Sequence, residues 1–274
     1  MKVASRSKAT KKTPATETVS QALDLLEAFL SHGSALDLGE LAAILKLDRE
    51  TVQRLLATLE DRAYVQRLGE ARSYSLGVRL FELGSHFRNQ LDIRRAALPE
   101  LTSMVEETGQ AGFLCVRDGD HALCLERIEG RHFFHIFVLG IGERQPLHCG
   151  GAPRALLAGM SDSEIEAYAM RTKLPRYTSQ TITTREGLLE DVELTRRQGY
   201  VISEQDVSLD IAAIGVPVYD PLNRVIASVS LSGIASTYTP RRIVELAETI
   251  KAAVRRISRH LRFDHPNTDS PNSF

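Results

Sequence analysis

The chain has 274 residues, of which 43% are hydrophobic and 25% charged, a composition typical of globular proteins with one or two domains. No apolar run reaches the roughly eighteen residues of a membrane span, and the N-terminus lacks the apolar segment of a secretory signal, so we expect a cytoplasmic protein. The formal net charge of -1 gives no indication of nucleic-acid binding. Three cysteines without C-x-x-C or metal-ligand spacing argue against a disulfide framework and a metal site.

The first 17 residues are basic and polar, with five Lys and Arg residues and a single acid, Glu17. Such a segment has too few apolar side chains to form a core. We therefore expect residues 1–17 to form a disordered arm. The arm either adds phosphate contacts or is a solvated tail without a role.

Three short helices are predicted after Thr18, because apolar residues recur there at helical spacing. Their apolar faces are Val19, Ala22, Leu23, Leu26 and Leu30, then Leu38, Leu41, Ala42 and Leu45, then Val52, Leu55, Leu56 and Leu59. Asp48 is placed to cap the third helix. Because only a few residues separate the second and third helices, the pattern is typical of a helix-turn-helix.

A hairpin is predicted directly after the third helix, with strands at 64–68 and 73–76 and a turn at 69–72. A hairpin in this position is a wing. The segment 18–77 is therefore predicted to be a winged helix-turn-helix that binds DNA.

The candidate DNA-contacting residues lie on the outward side of the third helix and on the wing. They include residue types that read base edges or bind phosphates in a major groove. The candidates are Arg49, Thr51, Gln53, Arg54, Arg67 and Arg72. Any one of them alone would be an ordinary surface residue, and it is their combination with a tight turn and a wing that favours DNA binding.

A linker helix with an apolar stripe is predicted at 78–95. The stripe consists of Leu80, Leu83, Gly84, Phe87 and Leu91. We expect this stripe to pair with a second subunit, and packing onto the chain's own domain is the alternative.

An α+β domain is predicted at 96–263, followed by a Pro-, Asn- and Ser-rich tail, 264–274, that we expect to be disordered. The predicted strands are 111–117, 121–128, 133–139, 200–205, 212–219 and 224–232. The predicted helices run from Ala96 to Thr108, over 153–171 and 186–198, and onward from Pro240.

Several motifs, in order along the chain, resemble the IclR family of bacterial transcription regulators. They are Glu40-Leu41-Ala42, Thr51 to Leu56, Tyr74 to Gly77, Asp92 to Ala96, Gly199-Tyr200 and Ser230 to Gly233, so the similarity spans residues 18–261. The resemblance implies a winged helix-turn-helix, a linker helix and an effector-binding domain of GAF/profilin-like fold with an antiparallel sheet. It also implies dimers or tetramers, with operator DNA and a small organic effector as partners and with no cofactor.

The candidate effector site combines local chemistry with the resemblance. Ser230 and Ser232 alternate on a strand and share a face, and Gly150 to Ala155 places helix-start amides where an anion can bind. Each feature also has a plain structural explanation. The family's effector contacts fall on Gly151, Ala152, Ser203, Ala213, Ser230 and Ser232.

The sequence departs from the family pattern at the DNA face and at the effector site. Glu50 stands where members commonly carry Ser, and there an acid complements the helix dipole but repels phosphate. Ser203 and Ala213 replace the Asp and Cys of members that bind small keto acids, and Pro153-Arg154-Ala155 replaces Gly-Lys-Ala. We therefore expect a bulkier carboxylate than glyoxylate or pyruvate. Its candidate neighbours are Phe137, Arg127, His135 and His148.

The leading hypothesis is a DNA-binding regulator whose DNA affinity changes when it binds a small organic acid. A regulator that ignores small molecules is the first alternative. An enzyme with an appended helical domain is the second, but the His148-Cys149 pair lacks a partner acid and the chain has no G-x-S-x-G motif.

Overall fold

The computed structural model describes residues 14–69, 73–90, 92–131, 139–220 and 222–263, which form two compact units. One unit ends at Phe87 and the other begins at Arg88. Three predicted features lie wholly or mostly outside the described residues, namely the arm up to residue 13, the strand at 133–139 and the tail 264–274. No described helix is both long enough and apolar enough to span a membrane.

The first unit has the predicted winged helix-turn-helix architecture. Its elements are α1 (Pro14–His32), β1 (Leu36–Asp37), α2 (Leu38–Leu45), α3 (Arg49–Asp61), β2 (Val65–Leu68) and β3 (Ser73–Leu76). The strands form an antiparallel sheet in the order β1-β3-β2. Residues 14–17, which were predicted to belong to the disordered arm, are helical and form part of α1.

The core of this unit contains the predicted apolar faces of α2 and α3, around Leu41, Val52 and Leu56. The predicted face of α1 is wrong, since Leu25, Ala28 and Phe29 are buried whereas Val19, Leu23 and Leu30 are exposed. Helix α1 carries apolar side chains on more than one side, and packing against α2 and α3 decides which side is buried. The helix starts are fixed locally. Asp37 forms a capping box with Glu40 at the start of α2, and Asp48 caps α3.

The second unit is an α+β domain built on one six-stranded antiparallel sheet in the order β6-β5-β4-β9-β8-β7. In chain order, the elements that follow the wing are α4 (Val78–Gln90), α5 (Asp92–Thr108), β4 (Ala111–Asp118), β5 (His121–Ile128), β6 (Arg144–Pro146), α6 (Gly151–Leu157), α7 (Asp162–Thr172), α8 (Arg185–Gln198), β7 (Val201–Glu204), β8 (Ile211–Tyr219), β9 (Val225–Ile234), a short 3-10 turn (Ala235–Thr237) and α9 (Pro240–Phe263).

Each face of the large sheet has its own apolar core. On one face α5 and α9 pack on the sheet around Leu101, Ile214 and Ile250. On the other face α6, α7 and α8 pack around Phe113, Leu156 and Tyr168. The sheet is therefore covered on both sides, and a cavity lies in the second layer between the start of α6 and the sheet.

The structure divides one helical segment that the sequence pattern joined. The predicted linker segment at 78–95 falls on α4 and on the first turn of α5, in which Arg94 forms a buried ion pair with Glu126 of β5. The segment at 153–171 breaks between α6 and α7, where a Cβ on Gly159 would lie 2.5 Å from Val225 Cβ and where Ser161 begins a capping box. Strand β6 was not predicted, since it is an edge strand of three residues that ends in Pro146.

Two glycines allow α6 to lie directly on the sheet. A Cβ on Gly215 of β8 would overlap the carbonyl oxygen of Gly151, and a Cβ on Gly151 would lie 2.9 Å from Ala213 Cβ. The backbones of α6 and β8 are therefore in direct contact. This contact sets the depth of the cavity that begins beside Gly151.

We expect Gly215→Ala to lower the free energy of unfolding by about 1–3 kcal/mol, because the added methyl group overpacks the contact between α6 and β8. The control is Gly84→Ala in α4, where a Cβ meets nothing within 4 Å. That variant should gain roughly 0.5–1 kcal/mol, since alanine is the better helix former. Urea unfolding followed by circular dichroism measures both. An unchanged midpoint for Gly215→Ala would contradict the close contact.

Candidate functional site

Helix α3 exposes the side that was predicted to contact DNA. Val52 and Leu56 are buried, whereas Gln53 and Arg54 on the opposite side are exposed. Glu50 is also exposed, in the first turn, where an acid complements the helix dipole. The side of α3 that is free to enter a groove is therefore polar and carries an arginine.

Thr51 is half-buried, and both of its donors are already engaged. Its backbone N–H and its Oγ1 each donate to the carboxylate of Asp48, at 2.8 Å. These two hydrogen bonds hold the pKa of Asp48 below its ordinary value. Arg54 Nη2 lies 3.3 Å from Thr51 Oγ1 and donates to it. In this arrangement Thr51 shapes the start of α3 and has no donor left for a phosphate.

The remaining predicted DNA contacts differ in their surroundings. Arg49 is exposed, with its guanidinium beside Gly39 at the start of α2. Arg67 on β2 donates to Tyr74 Oη at 3.1 Å, and its Cζ lies 5.3 Å from the Tyr74 ring centroid. Arg72 lies outside the described residues. The wing thus holds the Arg67 side chain against the Tyr74 ring, and this arginine side chain is more than half exposed.

The six predicted effector residues surround one cavity on the α6 side of the large sheet. Cross-strand neighbours place Ser203, Ala213 and Ser232 in one row across β7, β8 and β9. The start of α6, at Gly151 and Ala152, packs on these strands and forms another wall of the cavity.

A second row of cross-strand neighbours runs beside the first, from Gly215 through Ser230 and Phe113 to Arg127. Arg127 shares the face of Phe113 because a bulge at Leu114/Cys115 shifts the alternation of β5. Its side chain is only 8% exposed and forms an ion pair with Glu129. A positive charge therefore lies next to Phe113 on the cavity side of the sheet.

The cavity has a volume of about 30 Å³. This volume corresponds to room for only a few waters. The cavity is thus narrow. Besides the six predicted residues it is lined by Phe113, Leu139, Gln145, Gly150, Pro153, Asp206, Val207 and Ile211.

The serine hydroxyls on this face have different partners. Ser228 donates to Ala152 O at 2.8 Å, Ser232 to Ala212 O at 3.2 Å, and Ser203 to Asp206 Oδ1 at 2.5 Å. Ser230 is 3% exposed and lines the cavity, and its hydroxyl has no hydrogen-bond partner among the described residues.

A buried ion-pair network forms the wall of the cavity, and sequence reasoning did not find it. Arg154 of α6 pairs with Asp191 of α8 and, through Nη1 at 2.8 Å, with Asp206. Burial lowers the pKa of Arg154, but the two carboxylates outweigh burial and raise it. Gly150 N also donates to Asp206, so an amide at the start of α6 serves a carboxylate of the protein itself.

His148 and Cys149 lie just before α6 and have no catalytic surroundings. His148 Nε2 lies 2.9 Å from Pro175 O, so it carries the hydrogen, while Nδ1 accepts from Tyr168 Oη at 2.9 Å. Burial lowers the pKa of His148, which keeps the ring neutral. Burial likewise raises the pKa of Cys149 to about 12, so its thiol is not a nucleophile at neutral pH. The described residues contain no group of three His, Cys, Asp or Glu side chains that could hold a metal.

A winged helix-turn-helix joined to a separate α+β domain defines a DNA-binding transcriptional regulator. The model of the IclR helix-turn-helix domain matches residues 18–69, and that of the bacterial transcriptional regulator IclR C-terminal matches residues 86–259. The chain belongs to the IclR family of bacterial transcriptional regulators, which confirms the predicted resemblance and fold class.

Relatives with known names are regulators and not enzymes. HTH-type transcriptional regulator KipR of Bacillus subtilis is 33% identical over 90% of this chain and 98% of its own length. Transcriptional repressor IclR of Escherichia coli is 30% identical over 86% of this chain and 87% of its own. An IclR homologue from Microbacterium hydrocarbonoxydans, complexed with 4-hydroxybenzoate, shares the fold with a TM-score of 0.79 at 22% identity, over 90% of this chain and 99% of that one.

Proposed function

We propose that the protein binds operator DNA through α3 and the wing, and that a small organic acid bound in the cavity of the second unit changes this binding. The observation that carries the proposal is the single cavity shared by Gly151, Ala152, Ser203, Ala213, Ser230 and Ser232. Related evidence is the 4-hydroxybenzoate bound to the Microbacterium homologue. An effector of this kind acts by binding more tightly to the protein in one DNA-affinity state than in the other.

The unpartnered hydroxyl of Ser230 supports a ligand at this place. The Ser230 hydroxyl has no partner among the described residues and can bond to a group placed in the cavity. Ser230 lies on the cavity wall, beside Phe113. A polar atom of a bound ligand supplies the missing partner.

The charge beside Phe113 supports an acid as that ligand. Arg127 is mostly buried on the same face of the sheet, next to Phe113 and one strand further from Ser230. In surroundings of low dielectric, an arginine attracts a carboxylate far more strongly than it does in water. The carboxylate therefore belongs at the Ser230 and Phe113 end of the cavity.

We expect Ser230→Ala to weaken the binding of an acid effector roughly tenfold, the value of one hydrogen bond to a charged group, without loss of stability. The matched control is Ser228→Ala, two residues earlier on the same face, whose hydroxyl donates to Ala152 O. This control should lower the free energy of unfolding by about 1 kcal/mol and keep effector affinity. Calorimetric titration and urea unfolding measure the two effects, and equal affinities for wild type and Ser230→Ala would argue against the site.

The DNA contacts are tested by Gln53→Ala combined with Arg54→Ala. Loss of two groove-facing side chains should weaken specific binding to DNA upstream of the protein's own gene by at least tenfold, since a good base contact contributes about 1–3 kcal/mol. Arg241→Ala on α9, which removes an equally exposed arginine, should leave binding unchanged. Binding is measured at two salt concentrations, with and without a panel of organic acids.

Three results of that titration are distinguishable. Specific binding that one acid shifts by tenfold, or about 1.4 kcal/mol of coupling, supports the whole proposal. Specific binding that no acid alters favours a regulator without a small-molecule ligand. Native affinity and specificity of the double variant would mean that the predicted recognition face, Gln53 and Arg54, is wrong.

Helix α4 provides a surface for self-association. Phe81 is 74% exposed, and Val78 and Leu83 of the same helix are also exposed. Of these three residues only Leu83 belongs to the apolar stripe predicted from the sequence. Exposed apolar side chains grouped on one helix are typical of an interaction surface. The family's dimers or tetramers suggest a second copy of this chain as the partner.

We expect Phe81→Asp to shift the protein toward monomer, because a carboxylate cannot be buried without a partner. Met170→Asp on α7, at a similarly exposed position, should keep the native mass. Sedimentation velocity measures both variants. An unchanged mass for Phe81→Asp would place the interface elsewhere.

A further inference from the structure

The outward side of α3 carries a row of exposed residues with an acid at each end. The residues of this row are spaced by four, three and four positions, and they are Glu50, Arg54, Ala57 and Asp61. Because successive residues of a helix are turned by about 100°, the row lies opposite to the buried residues Val52, Leu55 and Leu59. A groove that α3 enters therefore meets this row first.

Glu50 lies at the end of the row where bases are read. In helix-turn-helix proteins the N-terminal residues of the recognition helix contact the base edges in the major groove. Glu50 is in the first turn of α3, whereas Asp61 is its last residue. When α3 lies in a major groove, the Glu50 side chain is thus directed toward the bases.

The carboxylate of Glu50 is not used within the protein. Among the residues that the structure describes, no group forms an ion pair or a hydrogen bond with it. Two arginines are close along the chain, but the Arg49 guanidinium lies beside Gly39 of α2 and Arg54 donates to Thr51 Oγ1. The carboxylate is therefore available to a partner outside the chain.

The helix dipole does not require this second acid. Asp48 already places a carboxylate at the start of α3, where it accepts from the backbone N–H and from Oγ1 of Thr51. One negative charge thus complements the dipole at this end, whereas a second one on a DNA-binding surface is repelled by phosphates. Glu50 therefore lowers the affinity for DNA in general, except where a donor in the groove faces it.

The base edges in a major groove offer a carboxylate few suitable donors. Guanine presents two acceptors, and thymine presents an acceptor and a methyl group. Adenine has a donor next to an acceptor, N7, and that acceptor repels a carboxylate. Cytosine presents only the donor of its 4-amino group. Cytosine is therefore the base whose edge matches Glu50.

We infer that Glu50 is a specificity-determining residue whose carboxylate accepts a hydrogen bond from the 4-amino group of a cytosine in the operator. The inference rests on the proposed binding of α3 in a major groove of operator DNA. Since the acid is repelled by every phosphate backbone and attracted by one base, it discriminates against other sequences more than it adds affinity.

The test begins with the selection of binding sites from random double-stranded DNA by the full chain and by Glu50→Ala. We expect wild type to select cytosine at one position that Glu50→Ala does not distinguish, while the other preferences stay. Exchange of this cytosine should weaken wild type by about tenfold or more and Glu50→Ala by less than about threefold, since a good base contact supplies this discrimination. Glu50→Ala should also bind unrelated DNA more tightly, because a negative charge has been removed.

Glu50→Gln distinguishes a base contact from a structural role. Glutamine binds adenine through N6 and N7, so this variant should select adenine at the same position. A role in helix stability alone would lower the midpoint of urea unfolding and change no base preference. The matched control is Asp61→Asn, which removes an exposed acid from the same side of α3 but at its other end and should keep the cytosine.

The outcomes separate the inference from the function on which it rests. If wild type selects a specific site and Glu50→Ala keeps every base preference, the inference is overturned and the proposed DNA binding stands. The same holds if the preference that depends on Glu50 is for a base other than cytosine. If wild type selects no specific sequence, the proposed function fails and the inference fails with it.

Discussion

The buried guanidinium of Arg154 is the contact on which the ligand cavity depends. Arg154 lies on α6 and pairs with Asp191 of α8 and with Asp206 of the loop after β7. Its Nη1 also donates to Ile202 O at 3.0 Å. An ion pair taken out of water adds little net stability, but removal of one partner leaves an uncompensated buried charge. The network therefore fixes geometry more than it adds stability, and it holds Asp206 at the cavity wall without freedom to turn away.

The same domain contains a physical connection between the cavity and the helix that follows α4. Arg127, on the cavity face of β5, is adjacent in sequence to Glu126, whose side chain lies on the opposite face and pairs with Arg94 in the first turn of α5 at 2.7 Å. A ligand carboxylate that attracts Arg127 acts one residue from this pair. Coupling between two sites requires an element whose arrangement both sites influence. The start of α5, which follows α4 along the chain, is in a position to serve as that element.

Local patterns in the sequence predicted the elements whose causes are local. The apolar faces of α2 and α3, the cap at Asp48 and the shared face of Ser230 and Ser232 all follow from periodicity and from side chains within four residues. The buried side of α1 does not, because this helix has apolar side chains on more than one side and its packing partners select Leu25 and Phe29. The partners of Arg154 lie 37 and 52 residues away, and no spacing rule reaches that far. The bulge at Leu114/Cys115 reverses which side of β5 faces the cavity, so strict alternation assigns Arg127 to the wrong face. Ser203 and Ala213 were predicted as effector residues from the family resemblance. Their position on the wall of one cavity depends on the pairing of β7 with β8, which no local pattern predicts.

The departures from the family pattern have a common physical meaning in this cavity. Where members that bind small keto acids carry Asp and Cys, this chain has Ser203 and Ala213, whose side chains are smaller and line the cavity. The carboxylate is not lost but lies three residues further along the chain, at Asp206, with the Ser203 hydroxyl donating to it. Arg154, which replaces the family's Lys, reaches two carboxylates at once because its guanidinium has several donors in a fixed plane. The carboxylate at the cavity wall is therefore supplied by the loop after β7 and held by an arginine of α6.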